Sequence, residues 1–264
     1  MKKLFALVLA LVLVIGCMAG CGSTGTTLAD VEKAGKIVMA TSPDFPPFEF
    51  LEGKDVVGIE VEIMELVAKD LGVELSIEQM DFDSVLPGVV AGKYDVGVSG
   101  ISVTEKRKKN VLFTDAYCLA AQAIVVLEGS DITGKADLTG KKISVQTGTT
   151  AESYCLENDY TISGFAANND AQMALVNGNV DAWVIDDLTA AEMVKAYNES
   201  NDKKLVILSE AMTTEPYAFA FQKGSDDLVE KINATLNKLV EDGTVKSIFD
   251  KYEAPYTSPV ADEK

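Results

Sequence analysis

The chain has 264 residues, with 41 acidic side chains against 23 basic ones, a formal charge of -18 and no histidine. That balance speaks against nucleic-acid binding, which needs basic stripes to neutralise phosphate. The lack of imidazole excludes Ser-His-Asp and Cys-His catalysis and histidine metal ligation. A content of 47% hydrophobic and 24% charged residues is that of a folded globular chain, long enough for one large domain or two ordinary ones. No phosphate-cradling loop, calcium loop or zinc cysteine spacing occurs, so no cofactor or metal is expected.

The first element is a leader. Lys2 and Lys3 precede an apolar run from Leu4 to Ile15, of signal-peptide length and short for a membrane span. Met18-Ala19-Gly20-Cys21 then resembles a lipobox, with Cys21 as the lipid attachment residue and Cys17 as the alternative. The Gly/Ser/Thr stretch that begins after Cys21 favours it, because such a composition makes a flexible tether. The expectation is an extracytoplasmic protein held to the cell membrane by lipid. Cys118 and Cys155 remain, and two buried free thiols are expected, since pairing cannot be deduced from sequence.

In chain order, Ile37–Thr41 reads as a buried strand leaving into a Pro-rich loop, Ser42 to Phe48. Gly58 opens a helical pattern carrying Ile59, Ile63, Leu66, Val67 and Leu71 on one face, closed by Gly72. Strand Val73–Ile77, helix Phe82–Ala91 and strand Val96–Ser99 follow, a β-α-β-α-β run that implies a parallel sheet. Ala120–Leu127 is strand-like. A second alternation then starts, with strand Lys142–Gln146, a helix from Thr150, helix Asn169–Val176, strand Val180–Ile185, helix Thr189–Tyr197 and strand Leu205–Leu208. Tyr217–Gln222 is strand-like again. Two helices close the chain, one capped by Ser225 and one spanning Val245–Tyr252. The pattern implies two α/β units, the second inserted into the first. The expected division is leader 1–20, tether 21–30, first lobe 31–120 with 219–256, second lobe 121–218 and tail 257–264.

The stretch Gly100-Ile101-Ser102-Val103-Thr104-Glu105-Lys106-Arg107 stands at a strand end, where open parallel sheets bind ligands. Gly100 permits close approach, Ser102 offers a hydroxyl and Arg107 a fork of donors for a carboxylate. A second reading is structural: Ser102 and Glu105 have capping-box spacing, and Arg107 lies in a basic run that would make a solvated face.

These pieces together resemble the polar-amino-acid family of extracellular solute-binding proteins that serve ABC importers, over roughly Lys36 to Tyr256. The carriers are Gly58-Ile59-Glu60-Val61-Glu62-Ile63 with Val67-Ala68 and Leu71, the run Ala40 to Phe50, the Gly100–Arg107 stretch, Gln146-Thr147-Gly148-Thr149-Thr150, and Val180 to Asp186. The resemblance implies an α/β, two-lobed, periplasmic-binding-protein-like fold of type II, its discontinuous lobes joined by two extended hinge crossings. It implies a monomer that captures a free amino acid and passes it to permease and ATPase subunits. By position, Arg107 would grip the α-carboxylate with help from Thr150. Asp186 would hold the α-ammonium with the Gly100 carbonyl and Ser102, and Phe45 and Phe82 would sandwich the side chain. Ser42 and Gln146 are further candidates. Asp187 is the alternative to Asp186, Thr150 can also be read as a cap, and both phenylalanines as core.

Departures from the family pattern bear on the ligand. Ser42 stands where members that take basic side chains have an aspartate, Ile185 replaces a polar residue and Cys118 an aromatic. A neutral ligand side chain is therefore expected, unless Asp44, Asp81 or Asp83 reaches the pocket. Two rival functions remain: a dehydratase of amino-acid precursors, carried by related folds and drawing here on Glu49, Asp186 or Lys106, and a sensor that presents its ligand to a separate receptor.

Overall fold

A computed structural model of the chain describes residues 25–259. The leader, Cys17 and Cys21 lie outside these residues. Among the described residues no helix is long and apolar enough to cross a membrane.

The first helix of the described residues is α1 (Leu28–Ala34), which starts within the stretch 21–30 expected to be tether and runs past its end. Thr27 and Asp30 close a reciprocal capping box there, which outweighs the tether-like composition just upstream. Strand β1 (Lys36–Thr41) follows, then three short strands β2 (Asp44–Phe45), β3 (Glu49–Glu52) and β4 (Asp55–Val57), which form a small antiparallel sheet the sequence pattern did not signal. Helix α2 (Ile59–Leu71) starts at Gly58, whose φ is 137° and where an added Cβ would lie 2.2 Å from the Phe48 carbonyl oxygen. Only glycine fits both conditions.

Next come β5 (Glu74–Gln79), α3 (Phe82–Val90), β6 (Val96–Gly97), the single turn α4 (Glu105–Lys108) and β7 (Val111–Phe113). The first crossing is β8 (Cys118–Ala120), leading to β9 (Gln122–Leu127), β10 (Lys142–Gln146), α5 (Thr150–Glu157) and β11 (Thr161–Phe165). Then follow α6 (Asn168–Val176), β12 (Ala182–Asp186), α7 (Asp187–Ser200) and β13 (Leu205–Ile207). The return crossing is β14 (Glu215–Tyr217), followed by β15 (Ala220–Gln222), α8 (Asp226–Glu241) and α9 (Thr244–Lys251).

Two five-stranded mixed sheets result, ordered β5-β1-β6-β15-β7 and β11-β10-β12-β9-β13. In the first, β1 runs parallel to β5 and β6; in the second, β10 runs parallel to β11 and β12. The antiparallel pair β8/β14 carries the chain between them, with Cys118 opposite Tyr217. The expected strand Tyr217–Gln222 is thus two strands, one in the crossing and one in the first sheet. Each sheet buries apolar residues under helices, Ile37, Met39, Val67 and Leu236 on one side and Ile143, Val145, Val184 and Cys155 on the other. Both Cys118 and Cys155 are free and buried. Burial of the surrounding apolar surface pushes the Cys155 thiol up to about 12, so it stays protonated.

Candidate ligand-binding site

The strand ends β1, β6, β10 and β12 deliver their following loops to one small cavity. It is lined by Ser42, Asp44, Phe45, Phe82, Ser99, Gly100, Ser102, Arg107, Gln146, Thr149, Thr150 and Asp186. All nine residues singled out in the sequence are among them. Ser99 and Thr149 are additions, and of the three acids left open in the sequence, Asp44 lines the cavity while Asp81 and Asp83 do not.

Gly100 takes φ 52°, and a Cβ there would sit 2.4 Å from the Phe45 ring. The missing side chain therefore sets how close the phenyl comes to the strand end. Phe45 in turn stacks on the buried Phe48, with centroids 5.6 Å apart. Phe82 lies beneath the Arg107 guanidinium, 5.6 Å from ring centroid to Cζ, a cation–π geometry. The Arg107 fork itself spans both sheets' loops: Nη1 donates to the Ser102 carbonyl at 2.9 Å and Nη2 to the Gly148 carbonyl at 3.1 Å. Burial lowers its pKa, opposed by the negative charges of Glu215 and Asp186. The basic-run reading of Arg107 as a solvated residue is thereby corrected. Lys108, by contrast, makes an exposed ion pair with Glu105.

The capping-box reading of Ser102 fails as well. Thr104 caps α4, accepting from Arg107 N at 3.1 Å, because the helix begins two residues later than the spacing implied. The Ser102 hydroxyl donates instead to Glu215 Oε2, and Thr150 Oγ1 donates to the same oxygen at 2.7 Å. Glu215 lies on β14, so one carboxylate in the crossing gathers a hydroxyl from each side of the cleft. The sequence reading missed it: an isolated acid beside Pro216, ahead of an apolar run, was the only signal.

Each hydroxyl has one proton, and both are spent on Glu215, so Ser102 and Thr150 present lone pairs to the cavity. Thr149 is the cap of α5, accepting from Glu152 N at 3.1 Å, while Glu152 reaches back to Gly148 N at 2.8 Å. That leaves the first N–H groups of α5 without intrahelical acceptors and facing the cavity end at Thr150.

Asp186 ends β12, accepts from the Tyr217 hydroxyl and is buried. Burial, with the charge of Glu215, pushes its pKa up to about 7. Asp187 accepts the Ala121 and Leu188 N–H groups at 3.2 and 2.9 Å and is not among the residues that line the cavity.

Asp44 bridges the cleft. Its Oδ1 accepts from Ser42 Oγ at 2.9 Å, and its Oδ2 from Gln146 Nε2 at 3.1 Å and Asn168 N at 2.7 Å. Burial raises its pKa and these bonds lower it. Beneath the cavity floor two fully buried carboxyls, Glu49 and Glu60, meet. Ser99 Oγ donates to Glu49 Oε1 at 2.8 Å and itself accepts Ser42 N at 3.0 Å. Glu60 accepts Gly100 N at 2.8 Å and the Tyr117 hydroxyl at 2.6 Å. Burial and the neighbouring Glu60 charge hold Glu49 well above the usual carboxylate range. Among the described residues no cluster of three or more acidic or cysteine side chains is arranged to hold a metal.

Residues 37–255 match the bacterial extracellular solute-binding proteins, family 3. The chain is similar to the arginine-binding extracellular protein ArtP of Bacillus subtilis (strain 168), 32% identical, covering 96% of this chain and 98% of that protein. It is 30% identical to the glutamine-binding protein GlnH of an ABC transporter in the same organism, over 96% of this chain and 97% of that one. Its fold superposes on a variant of ArgBP from T. maritima with TM-score 0.81 and 37% identity, covering 86% of this chain and 99% of that chain. With the match spanning the fold and its cavity, the chain belongs to the family 3 extracellular solute-binding proteins.

Proposed function

We propose that the protein captures a free α-amino acid in the cavity between its two sheets and delivers it to the permease of an ABC importer, with no chemistry of its own. The observation that carries this reading is the shared lining of one cavity by Arg107 and Asp186, one cation and one carboxylate from opposite sides of the cleft. Arg107 and the N–H groups at the start of α5 take the α-carboxylate. Asp186, the Gly100 carbonyl and the Ser102 oxygen take the α-ammonium, and Phe45 and Phe82 enclose the side chain, with Ser42 and Gln146 at its polar end. The relatives' names, arginine-binding and glutamine-binding, support a ligand of this class.

The two sheets act as lobes, 31–120 with 219–256 and 121–218, closing about the β8/β14 pair. The protein works as a monomer outside the cytoplasm, held to the membrane through lipid on Cys21.

Titration calorimetry of ligand-stripped protein against the free amino acids should give heat for one or a few. Arg107→Ala and Asp186→Asn should each remove it while the protein stays folded by circular dichroism. Affinity retained in both variants would place the site elsewhere, and no heat for any amino acid would reject the reading.

A further inference from the structure

We propose that the cavity selects an amino acid whose side chain ends in a cation, and that Asp44 is the group that holds that cation. This rests on the amino-acid reading above and names the ligand class within it.

The argument is a count of charge at the cavity wall. Asp44, Asp186 and Arg107 are its charged lining residues. An α-amino acid brings a carboxylate for Arg107 and an ammonium for Asp186, and those pairs cancel. Asp44 is left over. Among the described residues no lysine or arginine pairs with it, and the three groups that donate to it, Ser42 Oγ, Gln146 Nε2 and Asn168 N, are all neutral. Behind the wall, Glu215 adds more negative charge, close enough to raise the pKa of Asp186. A carboxylate buried without a counter-charge is costly, and a ligand that supplies the counter-charge recovers that cost on binding.

The geometry leaves room for it. A carboxylate has about four acceptor positions. Oδ2 carries two donors and Oδ1 only the Ser42 hydroxyl at hydrogen-bond length, with Gln146 Nε2 distant at 3.4 Å. The free position lies on a residue that lines the cavity. Phe45 and Phe82 line the same space, and aromatic faces attract a guanidinium or ammonium on its way to a carboxylate. Ser42 thus takes a part that its short hydroxyl did not suggest. It donates to the acid two residues further on, and the expectation of a neutral side chain reverses.

Arginine against citrulline is the deciding comparison, because the two share shape and differ in the terminal charge. In calorimetry on ligand-stripped protein, arginine or lysine should bind about tenfold or more tightly than citrulline and glutamine. Asp44→Asn should bring arginine and citrulline to within about threefold of each other, mainly by weakening arginine. Citrulline or glutamine binding as tightly as arginine and lysine to the unaltered protein would overturn the proposal and leave the amino-acid reading standing. So would an Asp44→Asn protein that keeps the tenfold preference. Heat from another free amino acid but from none of the four would overturn the proposal alone, and heat from no free amino acid at all would sink both. Should Asp44→Asn fail to fold, the arginine-to-citrulline ratio of the unaltered protein decides alone.

Discussion

The Asp44 carboxylate accepts the backbone N–H of Asn168 at 2.7 Å, so a residue of the first sheet's loop caps a helix that belongs to the second. Helix α6 has Ala167 at its own cap position, with φ -116° and ψ 146° and no side-chain bond to the first turn. A helix start leaves its first N–H groups without partners, and a carboxylate there also suits the helix dipole. The cap comes from across the cleft. Any motion that separates the sheets uncovers it.

Giving α6 a cap of its own should therefore stabilise the helix without replacing this link. Ala167 already has the extended backbone that a capping serine adopts. A serine there accepts the N–H of the second or third helical residue, and Asn168 N stays with Asp44. Ala167→Ser should raise the stability of the ligand-free protein by about 1 kcal/mol in urea unfolding and leave amino-acid affinity within about twofold. A loss of affinity of about tenfold would show that the serine competes with Asp44 for the helix start.

Asp186 gives the site a pH dependence whose sign follows from its raised pKa. Binding an ammonium needs the ionised carboxylate, and the group protonates below about 7. Affinity should level off near pH 8 and fall as pH drops, on the order of a hundredfold between pH 8 and 5. Stability runs the opposite way. Between 3.8 and about 7 the folded, ligand-free protein holds a proton at Asp186 that the unfolded chain has lost, so this group's contribution falls as pH rises through that window. Glu215→Gln removes one of the three causes that raise it, the others being burial and the Asp187 charge, so the midpoint of the affinity profile should move to lower pH. A profile that keeps its midpoint in that variant would assign the shift to burial and Asp187.

Gly100 tests how tightly the pocket wall is built. Gly100→Ala would hold a side chain at φ 52° and push it against the Phe45 ring, at 2.4 Å. The backbone strain costs about 1 kcal/mol, and Phe45 must move away from Phe48 or into the cavity. The expected result is a modest loss of melting temperature with a loss of affinity of tenfold or more. Equal affinity in the variant would mean the ring is free to yield.

Much of this was legible in the sequence because the signals are local. Gly58 and Gly72 bracket α2, Thr149 caps α5, and strand-end loops carry Ser42, Gly100, Gln146 and Asp186 to one cavity. Periodicity missed β2 to β4, because strands of two to four residues are too short to show alternation. It missed α1, whose capping box follows a run of Gly, Ser and Thr that reads as tether. The capping reading of Ser102 fails because its partner, Glu215, is 113 residues away, and a hydroxyl's donor direction depends on that partner. Asp44 shows the same limit. Its three donors come from positions 42, 146 and 168, and only the folded chain brings them together.

The buried pair Glu49 and Glu60 separates charge from shape in the floor of the site. Glu60 accepts two bonds, from Gly100 N and the Tyr117 hydroxyl, and needs to be an anion to accept both well. Burial raises both carboxyls, Glu49 more strongly, and Glu49 accepts only from Ser99, so the pair's proton is expected on Glu49. A glutamine is a near isostere of a protonated glutamate, with an NH2 that can face Glu60 and a carbonyl oxygen for Ser99. Glu49→Gln should therefore keep the melting temperature within a few degrees at pH 7 and leave amino-acid affinity almost unchanged. Glu60→Gln sets an amide against two donors, and one of them loses its acceptor. The loss should be roughly 2–3 kcal/mol in stability, with weaker ligand binding because Gly100 is no longer held. If Glu49→Gln proves the more damaging of the two, the proton sits on Glu60 and the assignment is reversed.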